Sequence, residues 1–485
     1  MEIKIYERVE RKFDSKIISA TLTDEKGNVL ILHPFEYQPI ELRYDESGIE
    51  NCSAKGPLLF AIRFTLKEAG LYSLKTELEN GDCIREEFKV KGAFNSGYVE
   101  VSKKDKRYFA CSDGTPFFPI GINLAFPRSC SVNNNQEFGV SNKTNYMGLR
   151  EYERWFRRCS EAGVNLVRIW LGHDYFSPDT EDAEALSLVQ FSKIDMLLEL
   201  AKKYRIKLKL TIEQFRYFVY NSGNNSRVFN LFNKNLSLNG EHLVTNSLGS
   251  LDCDNSLRVY EEFCWDLCDF KQMHRYLDQG AAHIDSTINP IALLAGGLKM
   301  ISDDSKPIIV AETGAVEKRH SGEFKYYSCD DRGIIFVDCV YTPVFFACAG
   351  CGNIWHWDYR YVESKNLYKY FKPLSDMLYG IDFQAEEFSP IDLSDDEVYL
   401  YILKGKRNAL GFIRNKKDCW QTVLRDSGTP NTVERVTIDM KCRKVTPFPI
   451  WDDDLTHIKI VDKKIEISSI NYGTIFKAEF DMSEI

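Results

Sequence analysis

The sequence predicts a multidomain α/β plus all-β chain in which a parallel βα region lies between two β-sandwiches. Three observations carry this. Residues 1–95 read as short, partly alternating strands with turn chemistry between them. From about residue 115, apolar strands alternate with amphipathic helices. From about residue 386 the short strands return. We therefore expect three domains, 1–95, 96–385 and 386–485. A chain of 485 residues, 44% hydrophobic and 27% charged, has the size and apolar content for that division.

In the first domain, KIISATLTD, VLILHPFEY, LLFAIRFTL, LYSLKTEL and CIREEFKV read as strands, and EKGN and ENGD as turns. This is the pattern of an Ig-like sandwich. YVEVSKKDKRYFACSDGTPFF then reads as a hairpin leading into the next domain.

The middle domain gives strands at PFFPIGIN (116–123), NLVRIWL (165–171), KLKLTIEQF (207–215), HLVTNSL (242–248), DFKQMHRYL (269–277), PIIVAETG (307–314) and NIWHWD (353–358). Two helices are clear between them. EYERWFRRCSEAG places Trp155, Phe156, Cys159 and Ala162 on one face. FSKIDMLLELAKKY does the same with Phe191, Ile194, Leu197, Leu198 and Ala201. Such a chain closes as a (β/α)8 barrel or opens as a doubly wound sheet. No Gly-rich phosphate loop follows the first strand, which argues against the dinucleotide-binding version.

The last domain, with VYLYILKG, NALGFIRN, VERVTIDM, HIKIVDKKIEISS and GTIFKAEF, reads as a second sandwich. Net charge is −9 without a run of basic residues, so no nucleic-acid footprint is expected. The N-terminus MEIKIYERVERKF has no apolar h-region and no segment is long and apolar enough to span a bilayer. Fourteen scattered cysteines then read as reduced thiols of a cytoplasmic protein. Cys348 and Cys351, inside FFACAGCGNIW, read as small apolar fillers, and no zinc set is supported.

The residues that end the barrel-region strands are functional in type: Asn123; Arg168, Trp170, His173 and Asp174; Glu213; His274 and Tyr276; Glu312; Trp355, His356, Trp357 and Asp358. In a (β/α)8 barrel all of them would converge on the face where chemistry collects. Singly, each has a bland reading, a solvated loop carboxylate or a bonded core histidine. Together they point to a site.

The runs DGTPFFPIGIN, GVNLVRIWL, MHRYLDQG, PIIVAETGAV and NIWHWD, in this order, resemble clan-A glycoside hydrolases of the cellulase (family 5) type that carry an N-terminal β-sandwich and a C-terminal β-domain. The resemblance implies a (β/α)8 TIM-type barrel and a retaining O-glycosyl hydrolase of β-linked oligo- or polysaccharide, without metal or organic cofactor. Its partner would be a carbohydrate, with no nucleic acid or membrane. Matched residue by residue, it makes Glu312 the nucleophile, Arg168 the cation that keeps it ionised, and His274 and Tyr276 the pair that orients it. Trp357 becomes the floor beneath the sugar. Asn123, Trp170, His173 and Trp355 are the further substrate-binding candidates.

The acid/base of that family is a Glu preceded by Asn, and no Asn-Glu pair occurs in this chain. Only 26 residues, 216–241, separate Phe215 from His242, where a barrel spends roughly 31 on each βα unit. The barrel is therefore expected to be incomplete around its fourth strand. Glu213 is the one carboxylate on a neighbouring strand that could substitute as acid/base. The competing expectation is a catalytically inactive carbohydrate-binding or scaffolding protein that keeps the cleft. Neither the sugar, the linkage nor the oligomeric state is legible.

Overall fold

A computed structural model describes residues 1–127, 147–171, 175–176, 186–212, 242–247, 261 and 265–480. The first hundred residues form two facing sheets and a separate antiparallel pair, Ile40–Tyr44 with Glu50–Ala54. One orders its strands Glu2–Ile5, Cys83–Ala93, Gly70–Leu78, Ile17–Asp24 and Val29–Ile31; the other Arg8–Phe13, Leu59–Thr65 and Phe35–Tyr37. Alternation sends Ile17, Leu22, Leu74 and Phe88 of one sheet against Val9, Ile62 and Phe64 of the other, in a single buried cluster. VLILHPFEY is not one strand. It breaks at His33–Pro34, and its halves join different sheets, because Pro34 has no N–H for a ladder.

Among the described residues of the middle region the parallel strands are β1 (Gly121–Asn123), β2 (Leu166–Trp170), β3 (Lys207–Thr211), β4 (Lys271–Leu277) and β5 (Ile308–Ala315). β1, β2 and β3 pair in that order, and β4 pairs with β5. Residues 353–355 join the two groups. Asn353 N donates to Val310 O (2.9 Å) and Trp355 N to Thr313 O (2.9 Å), while Asn123 N donates to Ile354 O (3.3 Å). The wall therefore runs β4–β5–(353–355)–β1–β2–β3.

NIWHWD forms only an isolated parallel bridge, Thr313 with Ile354, rather than a full strand. The reason lies on its far side. Pro119 has no N–H, and Gly121 N points at Cys351 Sγ (3.2 Å), so the facing chain offers few backbone donors there. HLVTNSL likewise has no strand in its described part, residues 242–247. It runs beside the entry to β4, where Asp269 N donates to Val244 O (2.8 Å). PFFPIGIN splits at Pro119, its start pairing antiparallel with Phe109–Cys111. Among the described residues no sheet closes on itself.

Helices α1 (Gly148–Glu161), α2 (Leu188–Lys203), α3 (Pro290–Ile301) and α4 (Ile334–Tyr341) cover the wall. In α1, Tyr152, Trp155, Phe156 and Cys159 are buried, the apolar face expected. In α2, Leu198 is instead 36% exposed, at the edge of the buried stripe of Ile194, Leu197 and Ala201. Glu50 of the N-terminal sandwich accepts from Leu149 N (2.7 Å) and so caps α1, and Arg63 forks onto Asp195 of α2. On the other side, buried Arg414 donates to Asp338 of α4 (2.8 Å) and to Asp418 (2.8 Å). Arg414 lies on Asn408–Asn415, central in a five-stranded sheet that faces Val433–Ile438, Lys464–Ile470 and His457–Val461. Among the described residues no helix is long and apolar enough to cross a membrane.

Candidate active site

Glu312 owes its place to an irregularity in β5. Up to Met273, which is opposite Val310, β4 and β5 run residue for residue; then His274 is opposite Glu312, and Ala311 has no partner. Side chains alternate along a strand, so one unpaired residue reverses the faces from that point on. Gln272, His274 and Tyr276 share one face of β4, the face opposite Arg275, which bonds to Leu293 O of α3. Without the bulge, Ile309, Ala311 and Thr313 would share the inner face of β5. With it, Glu312 follows Ile309 inward.

The carboxylate has three partners. Arg168 Nη1 donates to Oε1, and Tyr276 Oη donates to Oε2 (2.7 Å). His274 Nδ1 lies 3.2 Å from the same Oε2. Ser247 Oγ lies on the same ring, 2.8 Å from Nε2 and 3.1 Å from Nδ1. Arg168 is itself held, with Nε on Thr211 Oγ1 (2.9 Å) and Nη1 shared with Asn123 Oδ1 (3.2 Å).

Asn123 is fully buried, and its amide is committed to the protein. Nδ2 lies within hydrogen-bond reach of the carbonyls of Ala311 (3.1 Å), Asn353 (3.0 Å) and Ile354 (3.0 Å). The first of these is the bulged residue. One side chain thus ties β1 to the bulge, to the 353–354 bridge and to Arg168.

Burial penalises the charged form of Glu312, whose side chain is 12% exposed, but His274, Arg168 and Tyr276 together outweigh it and hold its pKa below the ordinary carboxylate range. Burial pushes His274 down to about 3, so its ring is neutral near pH 7. Burial and the Glu312 charge push the Tyr276 phenol far up. Lys209, opposite Arg168 on β3, reaches across to Gln272 Oε1; burial, with Arg168 beside it, drives its ammonium well below the usual lysine range. Lys209, Thr211 and Gln272 were not among the sequence candidates. The strict alternation KLKLT was the available signal, since polar residues at every second position share one face.

Trp170, Trp355 and Trp357 gather in one aromatic cluster with Phe126. The ring centroids of Trp170 and Trp355 are 4.8 Å apart, those of Trp355 and Trp357 5.1 Å, and those of Phe126 and Trp357 5.0 Å. All three indoles are buried, Trp357 at 1% exposure, so its ring is a wall packed in the protein rather than an open platform. Its indole N–H has no hydrogen-bond partner among the described residues. His356 and Asp358 turn elsewhere, to Tyr327 Oη (3.3 Å) and Arg360 (2.7 Å). His173, Asp174 and Glu213 lie outside the described residues.

A solved structure from Bacteroides vulgatus ATCC 8482, provisionally described as a glycoside hydrolase, matches 99% of this chain with 99% of its own, at 13% identity and a TM-score of 0.54. The two chains share a fold. A cyclomaltodextrinase matches 98% of this chain with 97% of its own, at 10% identity and a TM-score of 0.40. A family 5 xyloglucanase from Bacteroides ovatus matches 78% with 97%, at 10% identity and a TM-score of 0.32. At those scores neither carries an argument about this chain. No protein-family model and no curated protein matches it.

Proposed function

We propose that this chain is a retaining glycoside hydrolase acting on β-linked oligo- or polysaccharides, a barrel domain (96–385) working between two β-sandwiches (1–95 and 386–485). One observation carries the reading: an ionised carboxylate, Glu312, stands in the C-terminal half of parallel strand β5, three residues before its end, with Arg168, Tyr276 and His274 around it. Two donors, one on each oxygen, fix the carboxylate's orientation and keep it charged, which is what a nucleophile attacking an anomeric carbon requires. His274, neutral and 3.2 Å from Oε2, packs beside it without a competing charge. Asn123 acts one step back, holding the bulge and Arg168. The aromatic wall of Trp170, Trp355 and Trp357 bounds the sugar subsite.

The test is Glu312→Gln against a panel of aryl β-glycosides and polysaccharides. The isosteric amide keeps shape but cannot attack, so turnover should fall by several orders of magnitude while oligosaccharide binding persists. Wild-type rates in that variant would overturn the assignment. A wild type that binds oligosaccharide but cleaves nothing would instead establish a binding protein with a retained cleft.

A further inference from the structure

Two rungs of side chains cross the interior around Glu312. Residues on one face of a strand recur every second position, about 6.6 Å apart along it. On β3 the inward pair is Lys209 and Thr211, and on β4 it is Gln272 and His274. The upper rung is the charged cluster itself. Thr211 Oγ1 accepts from Arg168 Nε (2.9 Å), and Arg168 Nη1 donates to Glu312, which His274 faces (3.2 Å). The lower rung is one bond, from Lys209 Nζ to Gln272 Oε1.

That bond joins strands that share no ladder. Among the described residues β3 pairs with β2, and β4 with β5, at the two ends of the wall. Lys209 reaches across from one end to the other. Gln272 is 5% exposed, so its amide is a fixed acceptor, and the same strand carries His274 and Tyr276 to the carboxylate. The lower rung therefore sets the strand that holds Arg168 against the strand that lines Glu312.

A lysine is an unfavourable choice for this place. Lys209 stands opposite Arg168 in the β2–β3 ladder, a like charge. Burial and Arg168 disfavour its ammonium, and Glu312 offsets only part of that. It also lies close enough to His274 to disfavour the imidazolium there. Among the described residues its one hydrogen-bond acceptor is the neutral Gln272 amide. A methionine of similar length would fill the space with no charge to desolvate. A residue that works against stability beside a charged cluster points to a functional demand.

We propose that Lys209 is a positioning residue for Glu312: through Gln272 it braces β3 against β4, and so keeps Thr211 where it turns Arg168 onto the carboxylate. Its part in catalysis rests on the glycoside hydrolase reading. Without the brace, Thr211 no longer fixes Arg168 Nε. Arg168 stays in the site, since Asn123 Oδ1 still accepts from its Nη1 (3.2 Å). Glu312 then remains ionised but is poorly aimed, and the loss falls on turnover rather than on binding.

The test compares Lys209→Met, Gln272→Leu and the double variant with wild type. It reads kcat and KM on aryl β-glycosides, the melting temperature, and hydrogen exchange at Arg168 Nε–H. The last is followed by NMR on protein with 15N-labelled arginine, its signal assigned by its absence from Arg168→Met. Lys209→Met should lose about 10–10²-fold in kcat, up to the scale of an ångström's misplacement, with KM within about threefold. It should melt at or above the wild-type temperature, while Arg168 Nε–H exchanges roughly tenfold faster or more. Gln272→Leu should show the same loss of kcat and the same faster exchange. The double variant should lose no more than either single one, because both remove one bond. Wild-type kcat in Lys209→Met on an active enzyme would overturn the proposal. So would unchanged Arg168 exchange, whatever the melting temperature does, since that is the mark of a merely structural lysine. Additive losses in the double variant would also overturn it. A wild type that cleaves no glycoside, with faster exchange in both single variants, keeps the brace and overturns the glycosidase reading alone.

Discussion

His274 faces Glu312 across β4 and β5 because Ala311 is left unpaired one residue earlier. Deleting Ala311 removes the bulge and leaves Glu312 directly after Val310, still opposite His274 and on the inner face. On the glycosidase reading, we expect the deletion variant to retain activity well above that of Glu312→Gln. Its far-UV circular dichroism should stay close to wild type, since parallel pairing survives the loss of one unpaired residue. Activity as low as that of Glu312→Gln would show that standing opposite His274 is not enough to aim the carboxylate.

On the glycosidase reading, Arg168 and Asn123 should set the acid side of the pH profile. Burial alone would raise the Glu312 pKa, and Arg168 is one of the groups that reverse this. Replacing Arg168 by Met should therefore move the acid limb of kcat/KM to higher pH, since a neighbouring cation is lost. Asn123→Ala should shift the limb the same way by less, since it frees Arg168 without removing the charge. It should also cost roughly 1–3 kcal/mol of stability, because buried carbonyls lose their donor. Titrated initial rates and urea melts check both, and an acid limb that stays in place would refute the electrostatic account.

Trp357 calls for Phe rather than Ala. At 1% exposure the indole is core, and truncating it to Ala would cost ~3–5 kcal/mol of stability and obscure any binding effect. Phe keeps most of the wall and removes an N–H that is closed off from solvent. Oligosaccharide affinity should therefore stay within roughly twofold of wild type, with little change in melting temperature, since no exposed donor is lost. Calorimetry decides it; a tenfold or larger fall in affinity would show that the indole N–H reaches the sugar.

Two buried histidines should make the fold acid-sensitive. His274 and His356 are both held down to about 3 by burial, against about 6.5 in an unfolded chain. Between those values the unfolded state binds more protons, so stability rises with pH across the window and is lost as pH falls through it. Each ring contributes a slope of up to ~1.4 kcal/mol per pH unit. His356→Asn should remove one of the two slopes in denaturant melts taken from pH 4 to pH 7. A slope unchanged by that substitution would mean that His356 takes up its proton in the folded state.

The local grammar of this chain was readable in advance. Alternation in KIISATLTD and NALGFIRN, helical spacing in EYERWFRRC and the buried run PIIVA depend on neighbours within a few residues, and the folded elements lie where they do, with α1 starting earlier at Gly148 and β5 running on to Ala315. Placing Glu312 at the end of PIIVA also needed nothing more than a strand's length. What sequence could not supply was which way Glu312 faces. That turns on a bulge fixed by Asn123 from 188 residues away, and on Arg168 approaching from 144. Nor could it tell an open tryptophan from a buried one, since the exposure of Trp357 is set by Phe126 and Trp355 packing against it. Period and propensity are properties of a segment. Register, facing and burial belong to pairs of segments, and only the tertiary structure brings those pairs together.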